Sequence, residues 1–445
     1  MQPVKGSSIG RSPWLLRIGM EEVLCVCLLA FFAMQGAIPG IAPNQANEMT
    51  NTAATGLMKM VGVGSQVFVN GAICILALLH FRRMCRFAFA LQWTAAVAVF
   101  AICSTFWSQD VIATARRSIP FALATLFGLY IASRFQIRRQ LLLLTWTMVL
   151  LAFASIILSV FFPSIGLEAS TGHFGNWQGV FTQKNACGRA MVFATAALLS
   201  LRGALIGRFA CLCLFLFVLV MSGSRGAWMV EVAVFVSYLL LQGIERFKPS
   251  SRTVLLCVSI LVTVVTTIAA FVYFPLIAEL IGRDSTLTGR TAIWQQVFGA
   301  IMKHPILGYG FAAFWQGMKG ESYNVILALR FVIFHAHNGF LEIWLELGAV
   351  GLVLFFMSYM RAWRRLWSIL CSETMSNVYW MVFVLLLIGA YDLDENSLIT
   401  FNGLFWILYV SVIANIEIMA LERQTMLRWP KSTNVAKCVP AHAVA

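Results

Sequence analysis

Apolar residues run along this chain in long blocks broken by short polar segments, and many blocks approach the ~20 residues a helix needs to cross the bilayer core. Twelve such runs stand out, at roughly 22–39, 61–80, 85–104, 118–133, 140–162, 186–201, 204–222, 226–242, 253–274, 339–360, 377–391 and 401–420. A membrane-spanning strand would alternate apolar and polar residues over about ten positions, and a run such as LLLLTWTMVLLAFASIILSVFF (141–162) does not alternate. The pattern therefore predicts an all-α, polytopic membrane bundle of about 12 transmembrane helices. Residues 1–274 carry helices 1–9, 275–338 form one large extramembrane loop, 339–420 carry helices 10–12, and 421–445 form a basic tail.

Composition agrees with the pattern and closes off other classes. Of the 445 residues, 60% are hydrophobic and 11% charged, and the mean hydropathy is +0.83. A soluble domain carries about 25% charged residues, so a soluble enzyme and a disordered chain are excluded. Eleven cysteines are present, mostly inside apolar runs and without a CxxC pair. Neither a disulfide framework nor a zinc site is indicated.

The net charge of +14 arises from 32 Lys and Arg against 18 Asp and Glu. Of the 32 basic residues, 21 fall in the seven segments on the same side of the membrane as the N-terminus, as in Arg82, Arg83 and Arg86, Arg134, Arg138 and Arg139, or Arg361, Arg364 and Arg365. The positive-inside rule then places both termini in the cytoplasm. The charge is read as topology, with no nucleic acid as partner. Glu21 and Glu22 precede the first run and no A-x-A site follows it, so that run is expected to stay as an anchor.

The 275–338 loop lies on the opposite face, with the shorter loops 163–185, 223–225 and 392–400. An ordered loop of that length usually carries function. In it, RTAIWQQVFGAIMKHP places Ile293, Trp294, Val297, Ala300 and Ile301 on one helical stripe. This predicts an amphipathic helix that either lies on the membrane surface or packs on protein. Lys184, Arg189, Arg225, Arg283 and Arg290 sit on this face against the prevailing charge bias. If Lys184, Arg189, Arg225 and Arg290 converge, they suit an anion such as phosphate or pyrophosphate, which guanidinium groups bind in bidentate fashion. Salt bridges to Glu231, Glu279 or Asp284 are the alternative. His335 and His337 precede the tenth run on the same face, and a histidine can act as a general base near neutral pH. In a helix the two side chains of His-x-His diverge, and the flanking sequence offers no clear carboxylate set, so no metal site is expected.

His337-Asn338, nine residues, Gly348, two residues and Gly351 form a run that resembles the C-terminal motif of the O-antigen ligase and Wzy-type polysaccharide polymerase superfamily. GVFTQKNACG (179–188), SGSRGAW (222–228), LTGRTAIW (287–294) and HPILGYGFAAFW (304–315) resemble its ExoQ-like exopolysaccharide branch most. The resemblance implies a GT-C-like fold and an inverting membrane glycosyltransferase in exopolysaccharide or O-antigen biosynthesis. It implies a polyprenyl-diphosphate-linked oligosaccharide donor, used at the periplasmic face of the bacterial inner membrane without nucleotide, metal or other cofactor. The acceptor would be a glycan or a lipid-linked glycan. By that resemblance His337 is the base, Arg225 and Arg290 hold the diphosphate, and Lys184, Asn185, Arg189, His335 and Asn338 bind substrate. A polymerase is the first expectation, a ligase acting on lipid A-core the second and a non-enzymatic polysaccharide transporter the third. A flippase and a chain-length regulator enter as candidate partner proteins.

Overall fold

The structure, a computed structural model, describes residues 19–41, 56–168, 175–201, 205–247, scattered helical positions from 251 to 265, 288–370 and 378–428. Arg283, Glu279, Asp284, His173, most of the ninth run (253–274) and the tail beyond 428 lie outside the described residues. Those described are helical throughout, apart from connecting loops and an isolated Leu167–Trp177 bridge. In chain order the helices are α1 (Met20–Ala33), α2 (Gly56–Leu79), α3 (Phe81–Ala88), α4 (Gln92–Cys103), α5 (Val111–Arg134), α6 (Ile137–Phe161), α7 (Pro163–Gly166), α8 (Lys184–Ser200), α9 (Leu205–Met221), α10 (Arg225–Glu245), α11 (Thr288–Ile301), α12 (Gly320–Leu329), α13 (Gly339–Leu370), α14 (Val378–Asp394) and α15 (Leu404–Arg428).

The count of spans differs from the twelve apolar runs. Among the described residues five helices are long and apolar enough to cross a membrane: α2, α6, α10, α13 and α15. α3 with the helical stretch from α4 to Phe106 adds a sixth if that pair, bent by 105°, is one span. The first run yields only the 14 residues of α1, which rise about 21 Å against a core of about 30 Å. Gln35 (φ 55°) and Gly36 (φ 74°) turn the chain left-handed just after it. α9 and α14 are apolar but shorter than the five.

The bundle packs its apolar faces and ties them with hydrogen bonds and ion pairs between helices. Tyr409 on α15 donates to Ser358 of α13, whose hydroxyl also meets Thr94 of α4. Gln140 of α6 bonds Ser411 and Asn415 of α15. At one end of the bundle, Arg134 makes a two-pronged bond to Glu21 (2.9 and 2.8 Å), Arg139 pairs with Glu22, and Arg361 donates to Glu417 (2.6 Å). The opposite end gathers the starts of α5, α8, α10, α13 and α15 with the ends of α6 and α14.

A smaller apolar core caps that second end. Ile293, Val297, Ala300 and Ile301 of α11 are buried in it with Tyr309, Phe314, Val325 and Ile326. The stripe in the long loop is thus taken up by packing on protein, the second of its two readings. The cap is spliced into α13 at a break. Gly348 has φ 65° and ψ −172° inside that helix, which frees carbonyls that a continuous helix would use. Tyr309 and Gly310 donate to Leu345 and Glu346 (3.0 and 2.9 Å), while Ala349 and Val350 donate back to Pro305 and Ile306 (2.9 and 3.2 Å). A β-carbon on Gly348 would lie 2.1 Å from the Ile306 carbonyl oxygen, and one on Gly308 2.5 Å from that of Glu346. The first glycine of the H-N-x9-G-x-x-G run and the first of GYG are therefore two sides of one backbone contact.

Candidate functional site

Glu395 lies at the centre of the capped end, in the loop between α14 and α15, with only 3% of its side chain exposed. An isolated carboxylate is costly to bury, and this one is surrounded. Asn185 Nδ2 donates to its Oε1 at 3.0 Å, and Arg290 Nη2 stands 3.8 Å from the same oxygen. Its Oε2 faces His337 Nδ1 at 3.4 Å and His335 Nδ1 at 4.0 Å. Burial favours the protonated acid, but the His337 ring and the nearby cations outweigh it, so the carboxyl is held well below its usual range.

The two imidazoles meet in a loop rather than on a helix, which is why they do not diverge as their spacing predicts. His337 has φ 50°, a region non-glycine residues rarely occupy and one that recurs at functional sites. The turn brings the ring centroids to 4.0 Å at a tilt of 56° and lets the His337 amide donate to His335 Nδ1 at 3.3 Å. Burial, then the neighbouring His337, pushes the His335 pKa down to about 4 despite Glu395. His335 is therefore neutral at pH 7, with Nδ1 as an acceptor, and does not form a charged pair with Glu395. His337 turns the Nδ1 edge of its ring toward Glu395 Oε2, at 3.4 Å.

Asn185 is placed by a close helix contact. A β-carbon on Gly188 would lie 2.8 Å from those of Ala227 and Ser224, so α8 and α10 approach at that glycine. Ser224, the residue before α10, donates to Asn185 Oδ1 at 3.1 Å, and Arg225 follows it as the first helical residue. Lys184 starts α8, where its amide donates to Glu168 (3.2 Å). Burial lowers the Lys184 pKa, with Arg225 adding to the shift and Glu168 opposing it. Arg189, one turn further and 2% exposed, donates to Ser397 Oγ at 2.7 Å rather than to Glu231. Arg290 pairs with Glu395; Glu279 and Asp284, the loop acids considered from the sequence, lie outside the described residues.

The site residues read from the sequence thus fall into one neighbourhood, with one difference of role. Asn185, Arg189, Arg290, His335 and His337 surround Glu395, while Lys184 and Arg225 open α8 and α10 next in sequence to the hydrogen-bonded Asn185 and Ser224. Asn338 instead caps α13, accepting from the Leu341 amide (3.0 Å) and donating to the Leu393 carbonyl (3.2 Å). Glu395 itself, Ser224 and Ser397 went unrecognised. The one signal for Glu395 is YDLDENS (391–397), a dense acidic stretch between apolar runs.

His335, His337 and Glu395 offer ligand atoms within 4.8 Å of one another, a set whose composition suits a three-ligand metal site. The sequence near the histidines lacks the carboxylate; the fold supplies it from residue 395. The surrounding charge argues against a divalent ion there, because the Arg290 guanidinium already faces the carboxylate and Arg189 adds to the positive field. A proton-handling pair, imidazole backed by carboxylate, fits that field better.

Residues 209–356 match the family model described as O-antigen ligase. The chain is 28% identical over 386 residues to the exopolysaccharide production protein ExoQ of Rhizobium meliloti (strain 1021), covering 81% of this chain and 85% of that protein. In sequence the chain is O-antigen ligase-like and ExoQ-like. The matched segment holds Arg225, Arg290, His335 and His337 and stops short of Glu395, while the longer likeness extends the comparison over most of the chain.

Proposed function

We propose that this protein is a membrane glycosyltransferase of the O-antigen ligase/polymerase type, acting in exopolysaccharide synthesis as a polymerase. It transfers glycan from a polyprenyl-diphosphate-linked donor to a sugar hydroxyl at the non-cytoplasmic face of the inner membrane. The observation that carries the reading is His337 backed by Glu395 beside Arg290, at the bundle end that also holds Lys184 and Arg225.

In this reading the acceptor hydroxyl oxygen attacks the anomeric carbon from the face opposite the diphosphate, and the stereochemistry inverts. The new C–O bond forms as the bond from that carbon to the diphosphate oxygen breaks. His337 Nε2 takes the hydroxyl proton, and Glu395 stabilises the imidazolium that results, as a positioning residue. The leaving diphosphate carries away the bonding electron pair, and its growing charge is met by Arg225 and Arg290, with Lys184 adjacent. No step requires a metal or nucleotide. Ligation to lipid A-core is the second reading, favoured by the description of the matching family; product analysis separates a longer lipid-linked polymer from glycan on a new lipid.

The test is His337→Ala at matched membrane levels, with lipid-linked glycan elongation measured. The expected fall is about 10²–10⁴-fold, the usual contribution of a positioned general base. Wild-type product would remove His337 from the chemistry.

A further inference from the structure

A cavity of about 200 Å³ opens beside His335, walled by the start of α5, the front turns of α13, the 312–315 segment and residues 396–401. Its lining includes Arg189 and His335 but none of Lys184, Arg225 or Arg290, so it is separate from the cations assigned to the diphosphate. We infer that this cavity is the subsite for a neutral hexopyranose ring of the acceptor glycan, held between the carboxyl pair Glu342 and Glu346 and the indole of Trp315. The inference rests on the glycosyl-transfer reading above and names the acceptor chemistry of the same site.

Two acids one turn apart, both buried, line one wall. Glu342 accepts from Trp315 Nε1 (2.6 Å) and from the Ala336 amide (2.7 Å), so carboxyl and aromatic ring are locked into one surface. Carboxyl oxygens accept hydrogen bonds from hydroxyl groups, while an aromatic face suits the apolar C–H side of a sugar ring. The opposing cations do not turn the cavity into an anion site. Arg117 donates to the Ala312 carbonyl and lies 5.5 Å from the centre of the Phe401 ring. Arg189 is engaged with Ser397 and lies 6.0 Å from the centre of the Phe405 ring. Glu342 and Glu346 face Arg117 and Arg189 across the lining, and Gln183 and Asn396 add amides that both donate and accept. Thr400 and Arg189 both line the cavity, and Thr400 Oγ1 and Arg189 Nε are buried without a hydrogen-bond partner among the described residues. Buried polar atoms are nearly always satisfied, and a polyhydroxylated ring can answer both. The ligand this asks for is uncharged and rich in hydroxyls, with one apolar face.

The full chain in nanodiscs is examined by saturation-transfer NMR with methyl β-D-glucopyranoside, methyl β-D-galactopyranoside and methyl β-D-glucuronide as probes. Signal is expected for at least one neutral glycoside with the wild-type protein. It is expected to drop in Trp315→Ala and, as a gentler change that keeps side-chain volume, in Thr400→Val. In elongation assays Thr400→Val should raise the acceptor KM about three- to ten-fold, the loss of one hydrogen bond, with the donor KM unchanged. Transfer to the glucuronide alone, no transfer to either neutral probe, or undiminished signal in both cavity variants overturns the subsite. A His337→Ala protein that elongates normally would instead overturn the transferase reading, and the binding result would stand apart from it.

Discussion

At the scale of single residues, the site is a buried carboxylate, one imidazole available for proton transfer and one held neutral. Glu395 touches Asn185, Arg290 and His337 at once, so its loss should uncouple all three. Glu395→Gln is expected to lower kcat about 10- to 10²-fold with protein levels maintained, and Glu395→Asp to recover part of it. A purely structural role would give neither the selective loss nor the rescue. His335 carries a different signature. Its folded pKa of about 4 lies below the ordinary value near 6.5, so the unfolded chain binds the extra proton first. Stability should therefore fall as pH drops from about 6.5 toward 4, and thermal melts of His335→Asn should lose that part of the slope. The arginines, Lys184 and both histidines were legible because they stand in motifs or against the charge bias of their face. Glu395 was not, since nothing in spacing links it to residue 337 across the intervening helices. Asn338 was legible as part of a motif, but its cap role is visible only once the helix start is seen.

At the scale of elements, glycines decide where helices approach and where they break. Gly188 lets α8 and α10 close on each other and so sets the Asn185–Ser224 contact. Gly348 opens α13 to the cap, and its left-handed φ makes any side chain there strained. Gly348→Ala is expected to cost at least 1–3 kcal/mol, seen as a lowered melting temperature in detergent and a loss of elongation activity without any change to site residues. Hydropathy gave the helices and most of their positions, yet it read 85–104 as one span. The chain bends between α3 and α4 around Phe89–Leu91, where neither glycine nor proline marks a turn. The α13 break is also invisible to hydropathy, because the residues on both sides of Gly348 are apolar.

At the scale of the whole molecule, charge is sorted between the two ends. Arg134, Arg139 and Arg361 are matched to Glu21, Glu22 and Glu417 at one end, while the site cations cluster at the other. The positive-inside rule predicts that the first end is cytoplasmic, an orientation that can be tested directly. A protease-cleavable tag inserted after Met318, exposed in the cap, should be cut by enzyme added to intact spheroplasts, whereas a tag at the C-terminus should survive. The reverse pattern would put the site on the wrong side for a translocated lipid-linked donor. The splice between the cap and α13 bears on how such a machine can diversify. Its four bonds run from main chain to main chain, so they make no demand on the identity of neighbouring side chains beyond the room that two glycines leave. Residues along the acceptor wall are thus free to drift, one substitution at a time, and a lineage could adapt to new sugars while the frame that aims them stays in register.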